Sequence, residues 1–466
     1  METLDALDAM MLTAELVSSP MHVAVALIMS PPDGTTGAAF MDEMYEQGMT
    51  APDPVDPRLR RRPHRGVDTG GLWVWRDVAD LDLSRHLHRL TLPRGSSVKD
   101  LWALVSELHA EPLDRSVPMW MAYLIDGLDD DRCALYIKVH HIVVDGVAGL
   151  QMISHSLTED PDRRGMPPFY ATAEPDEPPK RRSLNPLSVV RDVAGVAASG
   201  LSLARHAAAA ELANIVGGLT TSTVATPFGA PQTRFNTKLG PYRVFAATSL
   251  DRKRIRAIQD AADVTGNDVV TALVTGVLRA WLTKQDELPD QSLVALCPVT
   301  VRAREAAGDD GHGNQFGLGM CPLPTAVEDP AERLSLVHYA MSNVKHQVAA
   351  NGPGAMLLVL MPAVLPTTLS PMLPFGSRVK PSYNLPISNV PGPPKPSYFN
   401  GASVDEIYPV SVVYDGMALN VTLCSYADQI GVGYIADRDV MADVDDLVPL
   451  TETALAELEA AVGVAQ

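Results

Sequence analysis

The twelve residues from Cys133 to Val144 (CALYIKVHHIVV) are dense in β-branched and aromatic side chains and stop at Asp145-Gly146. That composition predicts a strand. The Asp-Gly pair predicts a turn, and Leu150, Met152 and Ile153 beyond it fall at helical spacing. A chain built around this unit is committed to layers of strand and helix. No GxGxxG or GxxxxGKS follows a strand, which sets aside a doubly wound nucleotide-binding fold.

The end of that strand also carries the most informative string, His140-His141-Ile142-Val143-Val144-Asp145-Gly146. With 12 histidines in 466 residues, HHxxxDG arises by chance in about one chain in a thousand of this composition. Side chains alternate along a strand, so Leu135, Ile137, Val139 and His141 share one face, and Tyr136, Lys138 and His140 the other. The aliphatic face is expected to look inward. His141, rather than His140, is then the imidazole kept neutral by an apolar interior, as a general base requires. Adjacent histidines on opposite faces are poor ligands for one ion and no His or Cys cluster lies nearby, so no metal is expected. Asp145 either orients the imidazole or binds an arginine or the local backbone. The structural role is favoured because Asp-Gly is first of all a turn-former. Gly146 allows close packing or a positive φ where strand passes into helix. A hydrogen-bonded pair of core histidines is the competing explanation for the whole string.

The rest of the chain reads as alternating strands and helices. Strands are expected over 71–78, 241–250 and 294–301, and helices over 98–113 and 267–284, the latter capped by Asn267 or Asp268. Residues 407–436 read as paired strands joined by turns at Asp415-Gly416 and near Asp428. From Glu159 to Pro186 proline and charge become dense, marking a linker, and Ser188 to Gly218 reads as an Ala-rich helix. The expected organisation is 1–160 as a first lobe with HHxxxDG, 161–240 as a proline-rich linker and crossover, and 241–466 as a second lobe, in an α/β (α+β) fold.

A net charge of −19 repels phosphate backbones, so nucleic acid is not expected as a partner. Four cysteines without a CxxC pair read as free thiols of a reducing compartment. Acids stand near the N-terminus where a signal peptide carries Lys or Arg, so export is not expected. The uncharged stretch from Gln347 to Ser377 is broken by Pro362, Pro366, Pro371 and Pro374 and is no single spanning helix. It reads as a core element, a tunnel wall or a segment resting on lipid. Arg58 to Arg65 (RLRRRPHR) is a basic island in an acidic chain. It suits anionic phosphates, of a ligand or of lipid headgroups, or a solvated loop that balances neighbouring acids.

Taken with further motifs, HHxxxDG resembles the bacterial wax ester synthase/diacylglycerol acyltransferase family over almost the whole chain. Glu111-Pro112-Leu113-Asp114-Arg115-Ser116-Val117-Pro118-Met119-Trp120 is similar to that family's PLDRSxPLW segment. Pro298-Val299-Thr300-Val301-Arg302, then Gly313-Asn314 and Leu323-Pro324, also match. Ile387-Ser388-Asn389-Val390-Pro391-Gly392-Pro393 resembles its SNVPGP segment. Two positions depart from the pattern: Asp8-Ala9-Met10-Met11 stands for DAMF, and Met121 for a frequent Glu after the tryptophan. Both bear on chain-length preference and level of activity.

The resemblance implies two chloramphenicol acetyltransferase-like lobes with a tunnel between them, as in condensation domains. It implies an O-acyltransferase that uses acyl-CoA as co-substrate, without a cofactor. The acceptor is diacylglycerol, giving triacylglycerol, or a long-chain fatty alcohol, giving wax ester. His141 is then the base and no acyl-enzyme forms. Asn389 or Ser388 is a candidate for oxyanion or substrate contact, and Arg302 for the partner of Asp145. A cytoplasmic protein, peripheral on the inner membrane face or on lipid inclusions, is expected. Two alternatives keep the fold: a transacylase fed by a carrier-protein thioester, and a non-catalytic lipid-binding or inclusion-coating protein. No GxSxG elbow supports a hydrolase.

Overall fold

The computed structural model describes residues 2–16, 18–144, 146–172, 225, 228–301, 315–351 and 380–464. Asp145, Arg302, Gly313-Asn314, the Ala-rich 188–218 stretch and most of the uncharged 347–377 stretch therefore lie outside the described residues.

The first half runs β1 (Glu2–Thr3), α1 (Ala6–Glu15), β2 (His22–Ser30), α2 (Gly37–Thr50), β3 (Arg61–His64), β4 (Val74–Asp77), β5 (Leu87–Ser96), α3 (Val98–Ala110), β6 (Trp120–Leu128), β7 (Cys133–His140) and α4 (Gly146–Ser154). The second half runs β8 (Arg243–Asp251), α5 (Arg252–Ala262), α6 (Gly266–Lys284), β9 (Leu293–Val301), β10 (Gln315–Leu323), α7 (Pro330–Asn351), β11 (Leu385–Pro391), β12 (Tyr398–Phe399), β13 (Ala402–Val410), β14 (Leu419–Tyr426), β15 (Gln429–Asp437) and α8 (Leu447–Val462). Two six-stranded sheets form, ordered β12-β13-β2-β7-β6-β5 and β10-β9-β11-β14-β15-β8, beside a small β1-β4-β3 sheet.

Local signals set the element ends. Ser97 and Asp100 form a reciprocal capping box on α3, whose end precedes Pro112. The cap of α6 is Thr265, with Asp268 as its box partner three residues on, so the helix begins slightly earlier than the sequence suggests. β5 and β6 lie parallel, joined by the α3 crossover, as parallel strands require a long connection.

The tail differs from expectation in one respect. β14 and β15 form the expected hairpin, turning at Ala427-Asp428. The segment around Asp415-Gly416 is no hairpin turn between β13 and β14: it carries the chain from one large sheet to the other. β13 pairs antiparallel with β2, so the second half lends β12 and β13 to the first sheet. Apolar alternation marks a strand but does not name its partner.

The halves meet where β13 crosses β15. A Cβ on Gly431 would stand 2.2 Å from the Ile407 carbonyl oxygen, and one on Gly433 2.1 Å from that of Pro409. Only glycine lets these backbones approach so closely. Nearby, Trp102 of α3 packs edge-on against Phe245 and Tyr408 at 5.1 Å each, and Ser106 Oγ accepts the Phe245 N–H at 2.9 Å.

Candidate active site

β7 is an inner strand of the first sheet, and all eight of its residues are buried. Leu135, Ile137 and Val139 join one apolar cluster, while Ala134 and Tyr136 join another on the opposite face. The expectation of one inward face is corrected here, since both faces of this strand are covered. The polar members of the second face are satisfied individually. Lys138 Nζ donates to the carbonyls of Leu108 (2.6 Å) and Glu111 (2.8 Å), closing the C-terminal end of α3. His109 Nδ1 lies 2.8 Å from the Tyr136 hydroxyl and Nε2 2.9 Å from the Ser411 carbonyl. Burial first, then the charges of Lys138 and Arg243, push the His109 pKa down to about 3, so its ring is neutral.

At the end of the strand the two histidines part. His140 is fully buried, and His141 is half-buried in the turn beyond it. This reverses the burial order expected from alternation, because His141 has already left the pleat. Its backbone remains firmly held: His140 N–H donates to the Met119 carbonyl and His141 N–H to the Met21 carbonyl, each at 2.9 Å. The turn closes through Val143 N–H to the His140 carbonyl at 2.9 Å. Buried Ile142, Val143 and Val144 anchor the far side of this turn in the apolar cluster of the first half.

The His140 ring is placed by both nitrogens. Nδ1 accepts the Ile142 N–H at 3.2 Å, and Nε2 lies 3.3 Å from Glu15 Oε2. With Nδ1 accepting, the ring proton on Nε2 points at the carboxylate. Glu15 also accepts the Met21 N–H at 3.0 Å through Oε1, and Arg115 Nη2 donates to Oε2. Burial alone would raise the Glu15 pKa. Hydrogen bonding and charge from His140, the Met21 N–H and Arg115 outweigh it and hold the carboxyl below its ordinary value. Met21 is thereby gripped twice, its N–H by Glu15 and its carbonyl by the His141 N–H.

Glu15 was not singled out by the sequence. Its one signal is an acid closing the largely apolar Ala9–Glu15 run, whereas Arg115 stands inside the PLDRS-like segment. In the departing DAMM segment, Met11 packs against the same apolar cluster; Met121 does likewise, with its sulfur 3.1 Å from the Tyr123 hydroxyl.

The SNVPGP-like segment forms β11, parallel to β14 over Ile387–Pro391. Its Val390 belongs to the apolar cluster of the first half, and a Cβ on Gly146 would lie 3.8 Å from Val390 Cγ2. Two motifs some 240 residues apart in the chain thus meet where α4 begins. Alternation places half-buried Ser388 on the face of Val390, while Asn389 is exposed on the other. Among the described residues no group of three or more His, Cys, Asp or Glu side chains converges as a metal site, and Cys133, Cys297, Cys321 and Cys424 are free and buried. No helix among the described residues is long and apolar enough to cross a membrane.

Comparison with known proteins identifies the family. Residues 4–270 match the family model for the wax ester synthase/diacylglycerol acyltransferase catalytic domain, and residues 312–459 match the family's C-terminal domain. Among curated proteins, the chain is similar to two candidate diacylglycerol O-acyltransferases of Mycobacterium tuberculosis. Rv3740c is 38% identical, covering 98% of this chain and 99% of that protein. The protein tgs2 is 36% identical, covering 98% of each. The solved wax ester synthase/diacylglycerol acyltransferase from Marinobacter aquaeolei VT8 superposes with a TM-score of 0.76 at 32% identity, over 99% of this chain and 100% of that one. The first condensation domain of the calcium-dependent antibiotic synthetase shares the fold, with a TM-score of 0.54 at 16% identity over 100% of this chain and 97% of that one. With both family models matched along its length, the chain is an acyltransferase that belongs to the wax ester synthase/diacylglycerol acyltransferase family.

Proposed function

We propose that the protein transfers a fatty acyl group from acyl-CoA to the hydroxyl of diacylglycerol or of a long-chain fatty alcohol, with His141 as general base. The observation that carries this reading is the junction at the end of β7. There His141 leaves the sheet on a turn pinned to Met21, beside the contact of α4 with Val390 on the strand of the second half. The parts 1–160 and 241–466 serve as the two lobes, with 161–240 crossing between them. Acceptor and thioester would approach His141 from opposite sides of a tunnel at their junction.

The His141 imidazole takes the proton from the acceptor hydroxyl as its oxygen attacks the thioester carbonyl carbon. The tetrahedral oxyanion collapses, the C–S bond breaks, and the CoA thiolate recovers the proton from the imidazolium. Ester and free CoA leave, and no acyl-enzyme is required when both substrates are held together. General base catalysis contributes about 10²–10⁴-fold and one oxyanion donor about 10²–10³-fold, so both are needed. Ser388 is the favoured donor by its place on the Val390 face, with Asn389 next to it. Asp145 orients the turn, with Arg302 as its proposed partner. Acyl-CoA is a co-substrate and the scheme calls on no further cofactor.

The experiment is a substrate panel. The pure protein is incubated with palmitoyl-CoA and, in turn, dioleoylglycerol, hexadecanol and monooleoylglycerol, and CoA release is followed with the lipid products. Ester formation with free acyl-CoA and no carrier protein is expected. Turnover only with a carrier-bound thioester, or none with any acceptor, would overturn the proposal.

A further inference from the structure

The small β1-β4-β3 sheet and the loop between its β3 and β4 strands form a basic surface. From Arg58 to Val78 it holds six arginines against two aspartates, a local charge of +4 in a chain of −19. Arg61 lies over Trp75 at 5.5 Å and Arg65 over Trp73 at 5.8 Å. Among the described residues, neither Arg62 nor Arg65 pairs with a carboxylate. The loop between β3 and β4 turns through Gly70 and Gly71, whose Cβ positions would face open space. On either side of that turn Val67 is fully exposed and Leu72 is 61% exposed. Arg65 Nε holds the loop by donating to the Gly71 carbonyl at 2.7 Å, and an exposed aliphatic pair stands close in the chain to guanidinium groups that lack a carboxylate.

Geometry also ties this surface to the candidate site. Trp73 Nε1 donates to Thr13 Oγ1 of α1 at 3.2 Å, and α1 ends on Glu15, the residue that holds His140 and Met21. The next residue, Leu16, is 59% exposed.

We propose that the β1-β4-β3 sheet docks the enzyme on an anionic lipid surface. Val67 and Leu72 enter the headgroup layer, and Arg62 and Arg65 meet lipid phosphates. The charge is complementary to an anionic surface, and each such arginine adds to attraction there. A coenzyme phosphate would require an enclosing pocket, whereas the Cβ positions of Gly70 and Gly71 at the tip of this loop face open space. The proposal deepens the proposed function, since it rests on an acceptor that resides in a lipid phase.

The test is flotation of the full-length protein with phosphatidylcholine vesicles, with and without about 30 mol% phosphatidylglycerol. The wild type is expected to float with the anionic vesicles and to lose binding as salt is raised. Arg62→Glu with Arg65→Glu, and separately Val67→Ser with Leu72→Ser, should each reduce the floated fraction at least about tenfold. Both pairs should keep wild-type melting and wild-type turnover of a dispersed short-chain diacylglycerol without vesicles. Wild-type flotation by both pairs, or equal binding to neutral and anionic vesicles, would overturn the proposal. So would a raised KM for acyl-CoA in the arginine pair, which would assign the patch to CoA. Flotation is read without turnover, so an inactive but vesicle-bound protein would refute the acyl-transfer reading alone.

Discussion

Glu15 accepts from three donors at once, and each of them matters to the turn that carries His141. Replacing it by alanine leaves His140 Nε2, the Met21 N–H and Arg115 without their acceptor in a largely dry site. Removing one member of such a buried pair costs about 3 kcal/mol or more, which thermal unfolding of Glu15→Ala should register. Glu15→Gln keeps an acceptor oxygen and should recover part of both stability and kcat, with the KM for acyl-CoA little changed. An equal loss in both variants would contradict a positioning role. The pH dependence has a definite sign. A carboxyl whose pKa is lowered on folding contributes stability that is complete above its unfolded value of 4.5 and fades as pH falls through the folded one. Wild type should therefore lose more stability than Glu15→Gln on acidification below about pH 4.5.

At the scale of elements, Lys138 shows what a strand buried on both faces entails. Its ammonium is fully buried between two carbonyls at the end of α3, and burial lowers its pKa to about 8, with Glu111 offsetting part of the shift. Between pH 8 and 10.5 the unfolded chain holds this proton while the folded chain has released it, so stability rises with pH over that window. The rise is up to about 3 kcal/mol, and Lys138→Met should lack it when unfolding free energies are compared from pH 7 to pH 10. The sequence identified this strand, because β-branched density is a local signal, but ran it through Val144, whereas it ends at His140 and turns over residues 141–143. It misjudged which histidine is buried, because pairing period says nothing about what covers each face or where the strand stops. Glu15 was illegible for a related reason: its partners come from positions 21, 115 and 140, brought together only by folding. A second element-scale prediction concerns the crossing of β13 over β15. Gly431→Ala would set a Cβ against a backbone oxygen that cannot swing aside, and a loss of about 1–3 kcal/mol is expected in urea unfolding.

At the scale of the molecule, the lent strands make the two halves interdependent. Without β13, β2 would be an edge strand, paired only with β7. Denaturant unfolding should therefore be a single transition. The five tryptophans divide for this purpose, with Trp281 in the second half and Trp73, Trp75, Trp102 and Trp120 in the first. Wild type and Trp281→Phe should each give one fluorescence midpoint that matches its own far-UV circular dichroism midpoint, and two separated transitions in either would contradict the coupling. The same interlock brings the SNVPGP-like strand to the start of α4, near the turn on which the proposed chemistry depends. The most direct test is the initial rate of CoA release from palmitoyl-CoA and dioleoylglycerol by His141→Ala, with wild-type folding verified by its melting curve. A fall of at least about 10²-fold is predicted, and release at the wild-type rate would contradict general base catalysis by His141.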